Sequence, residues 1–236
     1  MPYAHNPFDN NFKIDPKIKL LKYPDRIQGL KERKLKPPIM VDVDIVEGFC
    51  NLDCAWCSQA VSRSLRKATY MDEETMIQLG EFCRNWGVKS WRIAGDSEPT
   101  LNKHLDTLIA VGKENGIDMG LTTNGVALDR FKNLHDLTWI GVSLDATNRD
   151  TWSALKRSPP KNFDRIINNM KRLVEKHPEL DLTIKYHRWN EDDNASKDEF
   201  YKNINHEVEK DSYELNSNFE DAETLTELSE EIGCEY

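Results

Sequence analysis

Two kinds of apolar pattern alternate along the chain. Short runs of strand type are separated by stretches in which apolar residues recur every three or four positions, as they do on one face of a helix. The clearest helical stripe contains Phe163, Ile166, Ile167, Met170, Leu173 and Val174, and another contains Met76, Leu79, Cys83 and Trp86. The strand-like runs are Val41–Val46, Ser90–Ala94, Asp118–Thr123, Leu137–Leu144 and Leu182–Tyr186.

This alternation predicts an α/β fold of parallel βα units, arranged as an open doubly wound sheet or as a barrel. In both arrangements, ligands and catalytic groups lie at the carboxyl ends of the strands. The loops that follow the five predicted strands are therefore the places where functional residues are expected.

Charge is distributed unevenly over the 236 residues, whose formal net charge is -9. Residues 191–236 hold 16 acidic and 3 basic residues, which leaves 25 acidic and 29 basic residues in 1–190. The mildly basic body suits an anionic ligand, but it lacks the clustered Lys and Arg residues typical of a nucleic-acid interface. The acidic part is typical of a solvated surface or a loose tail.

Composition also excludes several classes of protein. No apolar run approaches the roughly 20 residues that a membrane-spanning helix requires. The polar stretch at residues 1–17 has no resemblance to a secretion signal. Five cysteines without an export signal indicate reduced thiols, metal ligands or catalysis rather than a disulfide framework. We therefore expect a soluble, cytoplasmic protein.

Three of the five cysteines lie within eight residues of one another, directly after the first predicted strand. Cys50, Cys54 and Cys57 are spaced so that they can converge on one metal centre, and thiolates favour zinc, copper(I) or iron–sulfur clusters. Structural zinc needs four ligands, whereas Cys83 falls on a helical stripe and Cys234 lies at the far end of the chain. Three ligands on a four-iron cluster would leave one iron open to another molecule.

The Cys-x3-Cys-x2-Cys spacing, with Trp56 before the last cysteine, resembles the cluster loop of the radical S-adenosylmethionine (radical SAM) superfamily. Three further segments match in order, and each follows a predicted strand. Residues 95–100, Gly-Asp-Ser-Glu-Pro-Thr, resemble the family's Gly-Gly-Glu motif, with Ser97 in place of the second glycine. Residues 121–125, Leu-Thr-Thr-Asn-Gly, and 142–146, Val-Ser-Leu-Asp-Ala, resemble two later motifs. The resemblance covers about residues 37 to 190.

The resemblance implies a partial parallel (βα) barrel that binds one 4Fe-4S cluster through Cys50, Cys54 and Cys57. It also implies that the cluster reduces bound S-adenosylmethionine (SAM), yielding a 5′-deoxyadenosyl radical that takes hydrogen from a substrate. Glu98 is expected to accept a hydrogen bond from the methionine ammonium group. The other residues expected to contact SAM are Gly95, Asp96, Ser97, Thr123, Asn124 and Ser143, with Trp56 either near the adenine or in the core. No catalytic residue is assigned beyond the cluster.

The chain departs from the family pattern in two ways. It is similar to the subgroup related to SPASM-type proteins, which often carry further clusters in a cysteine-rich C-terminal domain, but Cys83 and Cys234 cannot supply one, so we predict a single cluster. Only about five βα units are recognisable. Ala222, Leu225, Leu228 and Ile232 predict a helix ended by Gly233, after which a strand would be due.

We therefore predict an N-terminal extension (1–40), a radical SAM core (41–190) and an acidic helical segment (191–236), with the last βα unit missing or divergent. The favoured function is a radical SAM enzyme that receives electrons from a small flavodoxin- or ferredoxin-like protein. Its substrate is left open among peptides, sugars and nucleotides. The alternative is a truncated relative that binds a cluster without turnover, in electron transfer or as an accessory subunit.

Overall fold

Two α-helices of the computed structural model, which describes residues 20–188 and 224–236, begin at a side-chain cap, Asp72 or Asn148. The third helix begins where the Asp72 carboxylate accepts a hydrogen bond from the Thr75 backbone N–H at 2.8 Å, and it ends at Gly87, whose φ is 96°. The helices are α1 (Pro24–Lys31), α2 (Ala60–Ser64), α3 (Glu73–Trp86), α4 (Leu105–Glu114), α5 (Arg149–Lys156), α6 (Lys161–Lys176) and α7 (Leu225–Ile232).

The five predicted strands are confirmed. The strands are β1 (Met40–Val43), β2 (Val46–Glu47), β3 (Thr69–Tyr70), β4 (Ser90–Ile93), β5 (Asp118–Thr123), β6 (Trp139–Ser143) and β7 (Asp181–Lys185). One parallel sheet has the order β1-β4-β5-β6-β7. A separate antiparallel pair joins β2 to β3. The fold is therefore α/β, as the alternating pattern predicts.

The first strand is shorter than predicted, because the run Val41–Val46 is divided between β1 and β2. At the break, the Asp44 carboxylate accepts hydrogen bonds from the backbone N–H groups of Val46 and Asp96, at 3.3 and 3.2 Å. These bonds turn the chain out of the parallel sheet, and Val46 then pairs with Tyr70 in β3. Alternation of apolar residues did not reveal this break, since Val41, Val43 and Ile45 continue it past the end of β1.

The core lies between one face of the sheet and the helices. Trp91 and Ile93 of β4 are buried, as are Leu121 of β5 and Ile140 of β6. Cys83 is 1% exposed on the inner face of α3, which confirms its assignment to an apolar stripe. The longest predicted stripe is also confirmed, because α6 buries four of its apolar residues: Phe163, Ile166, Ile167 and Met170.

The end of the chain packs against this core. Helix α7 ends at Gly233, as predicted, and buries Leu225, Leu228 and Ile232 in the same apolar cluster. Glu235 then lies beside β7, where its N–H donates to the Leu182 carbonyl at 3.1 Å and its carbonyl accepts from the Ile184 N–H at 2.7 Å. The residues after α7 thus begin a sixth parallel position at the edge of the sheet.

The predicted boundaries at 1–40, 41–190 and 191–236 stay a prediction. Residues 1–19 and 189–223, which include Ala222, lie outside the described residues. Across the described ranges, no helix is both long enough and apolar enough to cross a membrane.

Packing of α7 leads to a stability prediction. Ile232→Ala should lower the free energy of unfolding by about 2–5 kcal/mol, because the side chain is buried against the core and its loss leaves a cavity. Urea unfolding of the full chain measures this change. The control is Glu230→Ala on the exposed side of the same helix, which should change stability by less than about 0.5 kcal/mol. A loss of stability in Ile232→Ala as small as that in Glu230→Ala would show that α7 does not contribute to the core.

Candidate functional site

A cavity of about 540 Å³ opens at the carboxyl ends of the parallel strands, a volume typical of small-molecule sites. The loops after β2, β4, β5 and β6 all reach it. Its wall contains every site residue predicted from the sequence: Cys50, Cys54, Trp56, Cys57, Gly95, Asp96, Ser97, Glu98, Thr123, Asn124 and Ser143. Segments separated by about a hundred residues of sequence are therefore brought to one place by the parallel sheet.

The cysteine loop, defined as residues 49–57, is attached to other elements along its length. The Phe49 N–H donates to the Ser97 hydroxyl at 3.1 Å, which joins the loop to the turn after β4. The amide side chain of Asn124, after β5, donates to Asn51 Oδ1 at 2.7 Å. These two bonds place the first cysteine, Cys50, between the carboxyl ends of β4 and β5.

The second half of the loop is held by the last turn of α5. The backbone N–H groups of Asp53 and Ala55 donate to the carbonyl oxygens of Lys156 and Leu155, at 3.3 and 2.8 Å. Carbonyl groups at a helix C-terminus have no partner within the helix, so the loop supplies donors that the helix needs. Cys54 lies between these two anchoring points.

The thiols occupy a partly desolvated wall of the cavity. Burial raises the pKa of Cys50 to about 11, and burial also raises the pKa of Cys54. Both thiols are therefore protonated at neutral pH unless a positive ligand compensates the thiolate charge, and metal binding at them releases protons. The arrangement favours a cationic centre over free thiolates.

Arg63 in α2 is a site residue that the sequence analysis missed. Its guanidinium group donates to Cys57 Sγ at 3.1 Å and to the carbonyl of Asp96 at 2.7 Å. One side chain thus connects the cysteine loop to the turn after β4. No local pattern marks Arg63, because its importance depends on the docking of α2 against that turn.

Glu98 is fully desolvated, with 3% of its surface exposed, and the chain itself supplies its hydrogen-bond donors. Oε1 accepts from the backbone N–H and the hydroxyl of Thr100, at 3.1 and 2.6 Å, and from the Thr123 hydroxyl at 2.6 Å. Oε2 accepts from the Asn124 backbone N–H at 2.7 Å. Burial raises the pKa of Glu98, while the four donated hydrogen bonds oppose that rise.

The turn that carries Gly95 has no room for a side chain. A Cβ atom added at Gly95 would lie about 2.0 Å from the carboxylate carbon of Asp44. That carboxylate is the group that holds the Asp96 backbone N–H at 3.2 Å. Asp44 lies beyond the end of β1 and fixes the turn from behind.

A buried ion pair also lines the cavity. Lys156 and Asp145 are 2% and 4% exposed, and the Lys156 ammonium group donates to Asp145. The ammonium nitrogen also lies 4.9 Å from the ring centroid of Trp56, which is itself 5.5 Å from the His187 ring. Lys156 follows Trp152 by four residues, and this spacing predicts that both lie on the same face of α5. The sequence analysis did not consider this spacing.

Among the described residues, no three His, Cys, Asp or Glu side chains converge closely enough to bind one metal ion. A four-iron cluster does not need such convergence, because each thiolate bonds a different iron atom. Three soft thiol ligands around one cavity, with Arg63 and Lys156 close by to balance anionic charge, fit a cluster of that type.

The family model of the radical SAM superfamily matches residues 45–198, well over half of the chain. The chain belongs to the radical SAM superfamily. The family resemblance inferred from the four motifs is thereby confirmed, and with it the use of a 4Fe-4S cluster and SAM, which are the cofactors of this superfamily.

Curated relatives match over part of their length. A probable GTP 3′,8-cyclase of Methanocaldococcus jannaschii is 31% identical over 130 residues, which are 53% of this chain and 42% of that protein. A GTP 3′,8-cyclase of Thermodesulfovibrio yellowstonii is 32% identical, over 46% of this chain and 35% of that protein. An S-adenosylmethionine-dependent nucleotide dehydratase of a Thermoplasmatales archaeon is 25% identical, over 62% and 53%. The radical SAM chain thus matches about a third to a half of each relative.

A solved structure supports the fold. The crystal structure of Streptococcus suis SuiB bound to precursor peptide SuiA superposes with a TM-score of 0.59 and 20% identity, covering 93% of this chain and 43% of SuiB. The observed five-stranded parallel sheet is therefore the partial (βα) barrel that the radical SAM resemblance implies.

The turn after β4 gives a testable prediction. Asp44→Asn retains one acceptor oxygen but presents an amide NH2 group to a backbone N–H, so one of the two hydrogen bonds is lost. We expect a loss of about 1–3 kcal/mol in the free energy of unfolding and faster hydrogen exchange at the backbone amide that faces the NH2 group, Val46 or Asp96.

Asp42→Asn is the matched control, because it removes the same charge from an exposed pair with Arg92. Such a pair contributes roughly 0–1 kcal/mol. Amide exchange followed by mass spectrometry or NMR reports on the turn itself. Unchanged protection of both the Val46 and the Asp96 amides in Asp44→Asn would show that the Asp44 carboxylate does not hold the turn.

Proposed function

We propose that this chain binds one 4Fe-4S cluster through Cys50, Cys54 and Cys57 and cleaves SAM reductively. The observation that carries the proposal is the single cavity that the three thiols share with the loops after β4, β5 and β6. When bound, the reduced cluster and SAM supply a 5′-deoxyadenosyl radical, which takes hydrogen from a substrate. The chain contributes the ligands, the orientation of SAM and the exclusion of water.

Glu98 is the proposed acceptor for the methionine ammonium group of SAM. Three of its four hydrogen bonds go to Oε1, and only the Asn124 N–H bonds Oε2. A carboxylate has about four acceptor positions, so Oε2 retains capacity for a cationic donor. The internal bonds hold the carboxylate in place, which lowers the entropy cost of binding.

The remaining cavity residues are proposed to orient the rest of SAM. The turn at residues 95–97 offers close backbone approach, because Gly95 carries no side chain and Asp44 holds the turn from behind. Ser143 and either Thr123 or Asn124 line the cavity and are proposed to contact the carboxylate or the ribose. Within the chain, Thr123 donates its hydroxyl to Glu98, and the Asn124 side chain bonds Asn51 and the Val126 N–H. Trp56 lines the cavity and is proposed to lie near the adenine.

The alternative proposal is a cluster-binding relative without turnover, and it shares the same ligands. The two proposals differ at Glu98, since electron transfer alone needs no ammonium acceptor in a cavity large enough for a small molecule. The buried, hydrogen-bonded Glu98 favours the enzyme. A small flavodoxin- or ferredoxin-like protein is the proposed electron donor in either case.

Single cysteine substitutions test the cluster and the turnover together. After anaerobic reconstitution with iron and sulfide, Cys54→Ala should lose the brown chromophore and should form no 5′-deoxyadenosine with SAM and dithionite. Cys83→Ala removes a cysteine from the buried face of α3 and should retain both properties, so it is the control.

Two outcomes separate the alternatives. Wild-type protein that is brown but forms no 5′-deoxyadenosine would favour the relative without turnover. A full chromophore in Cys54→Ala would show that the ligand assignment is wrong.

We further propose that the substrate is a nucleotide rather than a peptide or a sugar. The names of the curated relatives, two GTP 3′,8-cyclases and a nucleotide dehydratase, support this proposal. The cavity wall holds three cationic side chains, Arg63, Lys156 and Lys185, and three acidic ones, Asp96, Glu98 and Asp145. The proposal therefore depends on the relatives and not on the charge of the wall.

Isotope transfer tests the substrate class. Ribonucleoside triphosphates deuterated in the ribose should transfer deuterium into 5′-deoxyadenosine, which mass spectrometry detects as a mass increase of one unit per deuterium. Unlabelled triphosphates are the control. If 5′-deoxyadenosine forms but none of the labelled nucleotides transfers deuterium, the nucleotide proposal is wrong while radical formation stands.

A further inference from the structure

The buried ion pair between Lys156 and Asp145 has no evident purpose in stability. Both side chains are almost completely removed from water, and a buried pair commonly contributes less than well-packed apolar residues of the same volume. The pair nevertheless lies on the wall of the cavity that holds the three thiols. Its position therefore points to an electrostatic role in the site.

The orientation of the pair places its positive end towards the cysteine loop. Asp145 accepts a second hydrogen bond from the His187 backbone N–H at 2.6 Å, on the β7 side of the cavity. The Lys156 ammonium nitrogen instead lies 4.9 Å from the ring centroid of Trp56, which belongs to the loop. The Lys156 carbonyl accepts the Asp53 N–H at 3.3 Å, so the lysine adjoins the loop through both its backbone and its side chain.

The lysine is the member of the pair that adjoins the cysteine loop. The carbonyl groups of Lys156 and Leu155 accept the backbone N–H groups on either side of Cys54, and the ammonium group lies over the Trp56 ring. Asp145 is instead bonded by the His187 backbone N–H. The positive charge of the pair therefore faces the loop that carries the thiols.

We propose that the Lys156 ammonium group sets the reduction potential of the cluster held by Cys50, Cys54 and Cys57. Reduction adds one electron from an external donor and makes the cluster one unit more negative, without making or breaking a bond. A desolvated cation beside the loop that carries the ligands favours that state, and nearby charge is among the factors that set cluster potentials. This inference rests on the proposed function.

A potentiometric titration followed by electron paramagnetic resonance tests the inference on the reconstituted full chain, without SAM. Lys156→Met removes the charge with little change in length. Its midpoint should move to more negative potential by an amount equivalent to at least a tenfold change in the reduced-to-oxidised ratio, which is about 59 mV for one electron. Lys156→Arg keeps the charge and should stay near the wild-type midpoint.

Two further variants control for unrelated effects. Lys171 on α6 forms an exposed ion pair with Glu231 on α7. Lys171→Met removes that positive charge and should leave the midpoint unchanged. The double variant Lys156→Met with Asp145→Asn avoids a buried unpaired carboxylate and should also shift the midpoint to more negative potential.

The outcomes distinguish the inference from the proposed function. A wild-type chain that binds no cluster would overturn the proposed function. An assembled cluster with an unchanged midpoint in Lys156→Met, or in the double variant, would overturn only the role of Lys156. Loss of the cluster in both variants would also overturn that role, because Lys156 would then hold the loop rather than tune its potential.

Discussion

The cysteine loop is a stretch of irregular backbone, and its shape is set by the donors and acceptors that other elements offer it. Every second residue of the loop forms a hydrogen bond to another part of the chain. A further hydrogen bond, from the Cys57 N–H to the Cys54 carbonyl at 3.0 Å, lies within the loop. The outward-bonded positions are Phe49, Asn51, Asp53, Ala55 and Cys57. Cys50 and Cys54 lie between these attachments, so the geometry of two thiols depends on the carboxyl ends of β4 and β5 and on the end of α5.

The same elements also balance charge in the cavity. Glu98 is desolvated, but four donors from the chain replace the water that it loses. Lys156 is desolvated and has Asp145 as its partner. Burial raises the pKa of the Cys50 and Cys54 thiols, although a hydrogen bond from the Leu52 backbone opposes the rise at Cys50 and the Lys156 charge opposes it at Cys54. A metal centre with net affinity for thiolates is the kind of group that completes this charge balance.

Much of the fold was predictable because strand and helix patterns depend on nearby residues. All five strands of the parallel sheet lie where the apolar runs predicted, and Gly233 ends α7 as expected. The exception is the run Val41–Val46, where the chain leaves the sheet after Val43. That break depends on Asp44 reaching the Asp96 N–H, a residue 52 positions away, which no local pattern encodes.

The sequence by itself determined the fold class, the three thiols and the loops that surround them, since spacing within a loop and position after a strand are local properties. Only the tertiary structure decided how those residues are held and what faces them. Arg63, Asp44 and Lys156 became part of the site because separate elements pack against one turn or one loop. Hydrogen bonds and ion pairs act over a few ångströms of space, and distance along the chain does not reveal which side chains will come that close.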